Sequence, residues 1–382
     1  MSVSLPVYLD YNATTPVAPE VAAVMQTCLT EAFGNPSSDY DRGRQAAAIV
    51  REARAAVAQL IGAPTDGIVF TGCATEANNL ALLGVARALW ASKRHLVVSA
   101  IEHPAVMEPA RHLQRAGWEL TVVPVDGLGR VAPADVAAAL RPDTALISIM
   151  HANNEIGTLQ PIAEIAALTR PRGVLLHTDA AQSVGKVAVD VDALGVDLLT
   201  LAGHKFHAGK GIGALYVRAG TPIENILFGA GQERGLRPGT ENVPAIAGLG
   251  AAAHLAQQRL PQAEAYLRRP RDTLHQRLQA AIPGLALNGH PALRLPNTLH
   301  VSFPGVSGRD LLQRASTDVA ASVGSACHAQ HDAVSGVLAA LGLDAPRAMG
   351  AVRLSTGWTT TRQEIERAAD ALIAAWWALA PK

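Results

Sequence analysis

Two short stretches that each close an apolar run bring together an amine and a carboxylate: LLHTDAAQ, with Asp179 and Gln182, and LLTLAGHK, with His204 and Lys205. Asp179 and Lys205 are 26 residues apart. That is one βαβ step, so parallel strands can deliver both groups to one edge of a sheet. An amine able to form a Schiff base and a carboxylate able to hold a pyridinium proton are the two groups that pyridoxal 5'-phosphate chemistry requires. The chain has only five lysines, Lys93, Lys186, Lys205, Lys210 and Lys382, against 27 arginines. Lys205 alone follows a buried-looking run, where desolvation lowers an amine's pKa and makes it nucleophilic.

The elements that must position these groups form a repeating pattern. Runs of β type begin at Ile68, Leu96, Leu120, Ala145, Val174, Leu198 and Gly213 and alternate with alanine-rich helical stretches. Continuous apolar strands between helices predict a mostly parallel sheet covered on both faces, an α/β architecture with functional loops at the strand ends. After FGAGQERGLRPGTEN, the stretch from about Val243 to Ala281 reads as two helices leaving the sheet. A smaller α+β lobe follows from Asn297, with strands near LHVSF and VRLST and a final helix from Arg362.

Length and charge narrow the function. A chain of 382 residues exceeds one ordinary domain, and with 49% hydrophobic residues it can bury a large core. Its formal net charge of zero argues against nucleic acid or an anionic membrane as main partner. The first residues do not form a secretory signal, and no apolar run approaches the length of a membrane span. Cys28, Cys73 and Cys327 are too few and too unevenly spaced for a disulfide framework, which suits a reducing cytoplasm.

Ordered motifs run through nearly the whole chain: YLDYNATTP at Tyr8, GNPSS at Gly34, ATEANNLA at Ala74, EHPAV at Glu102, HANNEIG at His151, HTDAAQSVGK at His177, GHKFHAGKGIG at Gly203, RPGTEN at Arg237, SVGSAC at Ser322 and VRLSTG at Val352. On these the chain resembles the cysteine desulfurase and selenocysteine lyase group of pyridoxal-phosphate enzymes with the class V aminotransferase fold. The resemblance implies the type I PLP-dependent transferase fold: a mostly parallel seven-stranded sheet in a large domain, residues 15–260, and a smaller α+β domain from residues 1–14 and 261–382 that carries the cysteine loop.

The resemblance also implies roles. Ala74 and Thr75 open a helix whose amides suit the cofactor phosphate; an N-cap at Thr71 or Thr75 is the plain structural alternative. Cys73 stands where the family usually has glycine, and Ala202 where it has a serine that bonds the phosphate, leaving Gly203 and His204 there. His103 is expected to stack on the cofactor ring and move protons. Asn154 and Gln182 are placed near the phenolic oxygen, Asp179 at the ring nitrogen and Lys205 at the Schiff base. Thr240 is expected to reach the phosphate of a neighbouring subunit, which makes the protein a homodimer with shared active sites. Arg353 suits bidentate binding of the substrate carboxylate, assisted by Asn35, with a structural ion pair as the alternative.

Cys327 lies among small residues in ASVGSACHAQHDAVSG, a composition suited to an exposed loop rather than a core. His328 and His331 flank it without a fourth metal ligand, so no metal is assigned; a neighbouring imidazole lowers a thiol's pKa instead. The implied reaction converts L-cysteine to L-alanine and leaves sulfur on Cys327 as a persulfide, collected by an acceptor protein or a small thiol. Selenocysteine lysis is the nearest rival, supported by Tyr40 in GNPSSDY and opposed by Pro104 after His103. An aminotransferase of the same fold, and a non-catalytic scaffold, are the others; intact Lys205, Asp179 and Cys327 oppose the scaffold.

Overall fold

The computed structural model describes residues 5–324 and 335–380 of the chain. After a short strand β1 (Val7–Tyr8), seven strands build the main sheet: β2 (Ile68–Thr71), β3 (His95–Ser99), β4 (Glu119–Val123), β5 (Thr144–Ser148), β6 (Leu175–Asp179), β7 (Leu198–Ala202) and β8 (Gly213–Val217). Their spatial order is β2-β8-β7-β6-β5-β3-β4. Pairing is parallel from β7 through β6, β5 and β3 to β4, and β8 is antiparallel to both of its neighbours. Six strands therefore share one direction, as the mostly parallel reading required.

Why the strands read as continuous apolar runs is visible in their packing. Along β3, Leu96 and Val98 join a core with Leu80, Leu82, Val106 and Leu113 from the helices Ala74–Ala88 and Pro104–Arg115. Val97, between them, points to the other face and a core with Val50, Val57, Ile246 and Leu249. Period-two alternation thus feeds two apolar faces, both covered by helices. The edge strand β4 departs from the expectation of burial on both faces. It has a neighbour on one side only, and Val122 is 46% exposed.

The second departure is the stretch after the Gly-rich segment. Val243–Ala281 is one helix of 39 residues, not two, although Pro261 and Pro270 lie inside it. At 1.5 Å per residue it is about 58 Å long. Interior prolines cost on the order of 3 kcal/mol each, but the segment has no glycine from residue 251 to 283 and is rich in Ala, Leu, Gln and Arg. Both ends are also anchored. Ile246 and Leu249 belong to the core of the main sheet, whereas Leu274 and Leu278 belong to a second core.

That second core lies under a three-stranded antiparallel sheet of β9 (Ala286–Leu287), β10 (Thr298–Ser302) and β12 (Ala351–Ser355), in the order β12-β10-β9. The helix Arg362–Leu379 packs on it through Ile365, Ala368 and Leu372, behind a capping box made by Thr361 and Glu364. β1 pairs in parallel with β11 (Val319–Ala320), which buries Val7 and Leu9 in the same core. The segment that follows β1 is thereby carried from the small lobe across to the carboxyl edge of the main sheet.

Candidate active site

A cavity of about 260 Å³ opens at the carboxyl ends of β2, β3, β5, β6 and β7. Its wall brings together Ala74, Thr75, His103, Asn154, Asp179, Gln182, Ala202, His204, Lys205 and Arg353. This is the edge where open α/β sheets expose their loops.

One end of the cavity is the start of the Ala74–Ala88 helix. Cys73 is the N-cap and makes no side-chain capping bond, so neither Thr71 nor Thr75 caps the helix. Thr71 Oγ1 donates instead to the Cys73 carbonyl at 3.0 Å. The backbone of Cys73 is extended, with φ of −175°, a conformation open to any residue, so the loop does not need glycine there. Glycine is needed at Gly213, where a Cβ would lie 2.8 Å from the Cys73 carbonyl carbon. The loop is braced by Glu76, which accepts from the Gly72 amide at 2.9 Å and from Arg237 Nε at 2.9 Å.

His204 faces the same end. Its Nδ1 is 3.1 Å from Thr14 Oγ1. Burial first, and then the positive charges of Lys205, Lys210 and Lys186, push it down to about 4, so the ring is neutral at pH 7. Gly203 lies beside it without lining the cavity; a Cβ there would stand 2.9 Å from Ile212 Cγ2.

Asp179, the last residue of β6, is 7% exposed. One oxygen accepts from Asn78 Nδ2 at 2.7 Å and the other from the Ala181 amide at 2.9 Å. Both of these partners are neutral N–H donors, and Asp179 lines the cavity that Lys205 and Arg353 also line. Asn78 did not emerge from the sequence as a site residue. It sits four residues after Ala74, one helical turn along the same face.

Lys205 ends the short 3-10 turn Gly203–Lys205 after β7. Its Nζ donates to the carbonyls of Asn12 at 2.5 Å and Ala13 at 2.8 Å. Gln182 Nε2 donates to the same Asn12 carbonyl at 2.9 Å. Asn12 is a further residue the sequence did not single out. Its side chain donates to Asn154 O at 3.2 Å and to Thr298 Oγ1 at 2.8 Å, and accepts from Asn297 Nδ2 at 3.0 Å.

His103 is both a helix cap and a cavity residue. It caps the Pro104–Arg115 helix, accepting the Ala105 amide at Nδ1 at 3.0 Å. In the neutral ring this leaves the proton on Nε2. The adjacent Glu102 is buried, accepts from Ser99 Oγ and from the Met150 amide, and is pushed up to about 8, mainly by burial, with the Asp179 charge adding to it.

Arg353, in β12, is 2% exposed and combines both readings made of it. It pairs with Asp10 at 2.7 Å and donates to Asn154 O at 3.0 Å, yet it also lines the cavity. Besides Gly203, two more expected residues do not line it. Asn35 is exposed and accepts the Ser37 amide in a local turn, and Thr240 is exposed and outside this chain's own cavity. Cys327, with His328 and His331, lies outside the described residues. Cys28 is buried, its thiol pushed up by burial, and Cys73 is exposed. Among the described residues no helix is long and apolar enough to cross a membrane.

The sequence profile of the class V aminotransferases matches residues 7–368. The cysteine desulfurase IscS of Dictyoglomus turgidum is 44% identical over 367 residues, covering 96% of this chain and 93% of that protein. The cysteine desulfurase IscS of Pseudomonas aeruginosa is 45% identical over 379 residues, covering 97% and 93%. Among solved structures, a NifS-like protein superposes with a TM-score of 0.92 at 35% identity, covering 98% of this chain and all of the other. SspA in complex with cysteine superposes with a TM-score of 0.81 at 35% identity, covering 91% and 98%.

Proposed function

This chain belongs to the class V aminotransferase family, and we propose that it is a pyridoxal-phosphate-dependent cysteine desulfurase, converting L-cysteine to L-alanine and passing the sulfur to Cys327. The observation that carries this reading is the buried Asp179 carboxylate, hydrogen-bonded to Asn78 and the Ala181 amide, in the same cavity as the Lys205 amine. A buried carboxylate needs a positive partner, and a protonated pyridine ring is one. The uncapped first turn at Ala74 and Thr75 fits the phosphate of the same molecule. Asn154 and Gln182 offer amides to its phenolic oxygen, and the neutral His204 offers a hydrogen bond without adding charge.

Pyridoxal phosphate supplies an electron sink for the bonds at the substrate Cα and Cβ. Arg353 grips the substrate carboxylate with a guanidinium already oriented by Asp10 and the Asn154 carbonyl. The Lys205 amine, steadied at the Asn12 and Ala13 carbonyls, moves the Cα proton. His103, fixed by the Ala105 amide, presents the Nε2 side of a flat ring to the cavity and serves as a second proton carrier. The Cys327 thiolate attacks the substrate sulfur. A sulfur–sulfur bond forms as the carbon–sulfur bond breaks, its electron pair stays with the substrate carbon, and that carbon takes up a proton to become the methyl group of alanine. An acceptor protein or small thiol then removes the terminal sulfur.

Thr240, exposed and away from its own cavity, is where a neighbouring subunit's phosphate would be reached, so the working unit is a homodimer with shared sites. A cytoplasmic location belongs to the same reading. The test is to supply the purified holoenzyme with cysteine and with selenocysteine and to measure alanine, sulfide and selenide. The Cys327→Ala variant is expected to bind cofactor, carry no extra sulfur by mass spectrometry and make almost no alanine from cysteine. Turnover of cysteine by that variant at the wild-type rate would overturn the role of Cys327. Alanine from selenocysteine alone in the wild type would establish a selenocysteine lyase instead.

A further inference from the structure

Lys186 is a buried lysine close to the half-buried Lys205, and nothing in the reaction above uses it. It is 6% exposed and has no carboxylate partner among the described residues. Its Nζ donates to two side-chain oxygens, Gln182 Oε1 at 3.0 Å and Asn12 Oδ1 at 3.3 Å. A buried amine this close to Lys205 is a costly choice: burial first, then the charges of Lys205 and Arg353, push it well below the usual lysine range. A structural filler of that volume is better served by an apolar side chain.

The two oxygens it holds belong to the amides that frame the site. Gln182 Nε2 spends one hydrogen on the Asn12 carbonyl at 2.9 Å. With Oε1 held by Lys186, its other N–H remains for the cavity. Turning the amide over would aim an NH2 group at the lysine and an oxygen at the cavity. Asn12 is fixed in the same manner, with Oδ1 toward Lys186 and Asn297 and Nδ2 toward Asn154 O and Thr298 Oγ1. Its backbone carbonyl is the one on which Lys205 Nζ rests at 2.5 Å.

We propose that Lys186 is a positioning residue: by holding Gln182 Oε1 and Asn12 Oδ1, it presents a Gln182 N–H to the cavity and steadies the carbonyl that receives the Lys205 amine. This rests on the reading of the cavity as a pyridoxal-phosphate site. Without the amine the Gln182 amide is no longer held, so the phenolic oxygen of a bound cofactor would lose a donor and become more basic, which strengthens the hold on the proton at Lys205 Nζ.

The test is a pH titration of the bound cofactor's visible absorption in the wild type and in Lys186→Met. The variant's midpoint is expected to lie about one pH unit higher, a tenfold gain in proton affinity. In Gln182→Leu the further substitution of Lys186 is expected to have a smaller effect, because only the contact with Asn12 then remains to be lost. The thermal transition of the cofactor-free chains controls for folding. Lys186→Gln, which keeps N–H groups in the pocket, serves if the Met variant does not fold; it is expected to shift the midpoint in the same direction and by less. A folded variant that titrates like a cofactor-loaded wild type overturns this proposal alone. A wild-type chain that takes up no cofactor overturns the reading of the cavity with it.

Discussion

Asp179→Asn separates the carboxylate's part in holding cofactor from its part in holding the fold. In the cofactor-free chain the substitution is mild. Asp179 accepts from Asn78 Nδ2 and from the Ala181 amide, while Asn78 Oδ1 is buried with no partner among the described residues. The introduced amide can keep the Ala181 bond through its oxygen, and a rotation of the Asn78 amide puts the idle Oδ1 against the new NH2 group. The count of satisfied atoms hardly changes, so the expected cost is about 1 kcal/mol or less, near 2 °C in a chain of this size. With cofactor bound the substitution breaks a buried charge pair, about 3–5 kcal/mol, or two to three and a half orders of magnitude in affinity. The assay is a cofactor titration followed by absorption, alongside thermal transitions with and without cofactor. The wild type should gain markedly on loading, by the logarithm of ligand concentration over Kd, and the variant should gain little. Wild-type affinity in Asp179→Asn, or a cofactor-free chain destabilised as much as the loaded one, would refute the assignment of Asp179 to the ring nitrogen.

Two further outcomes are expected. Mixed dimers of Lys205→Ala and Thr240→Ala chains should retain one intact site of two, because Thr240 serves the neighbouring subunit; sedimentation that finds a fully active monomer contradicts the shared site. Glu102→Gln should flatten the pH dependence of stability. The folded-state pKa of Glu102, about 8 against an ordinary 4.5, means that its contribution is complete below about pH 4.5 and is lost as pH rises toward 8. The variant keeps an acceptor for Ser99 and the Met150 amide and has no proton to lose. Its melting temperature should therefore overtake the wild type's between pH 5 and 8, and parallel curves would show that Glu102 is not held neutral.

What the sequence disclosed and what it hid follow one physical division. β5, β7 and β8 are buried along their whole length, so their apolar runs were plain, and parallel neighbours necessarily bring Asp179 and Lys205 to one edge. Cavity contacts made by atoms missing from a residue, or by segments distant in the chain, leave no such pattern. Gly185, with φ of +78°, has a Cβ position only 2.8 Å from Phe206 Cβ. Only a residue without a side chain lets the turn after β6 close on the loop after Lys205, and that closure buries Lys186. Asn12 reaches Gln182 across 170 residues because β1 is tied into the small lobe, a pairing two residues long with no periodicity to read. The N-terminal segment therefore links both lobes to the Lys205 amine: Ser355 Oγ accepts the Asn12 amide at 3.0 Å, Arg353 pairs with Asp10, and the Asn12 carbonyl receives Nζ. The arginine assigned to substrate and the lysine assigned to cofactor therefore share one partner segment, the turn after β1, which composition alone would have passed over.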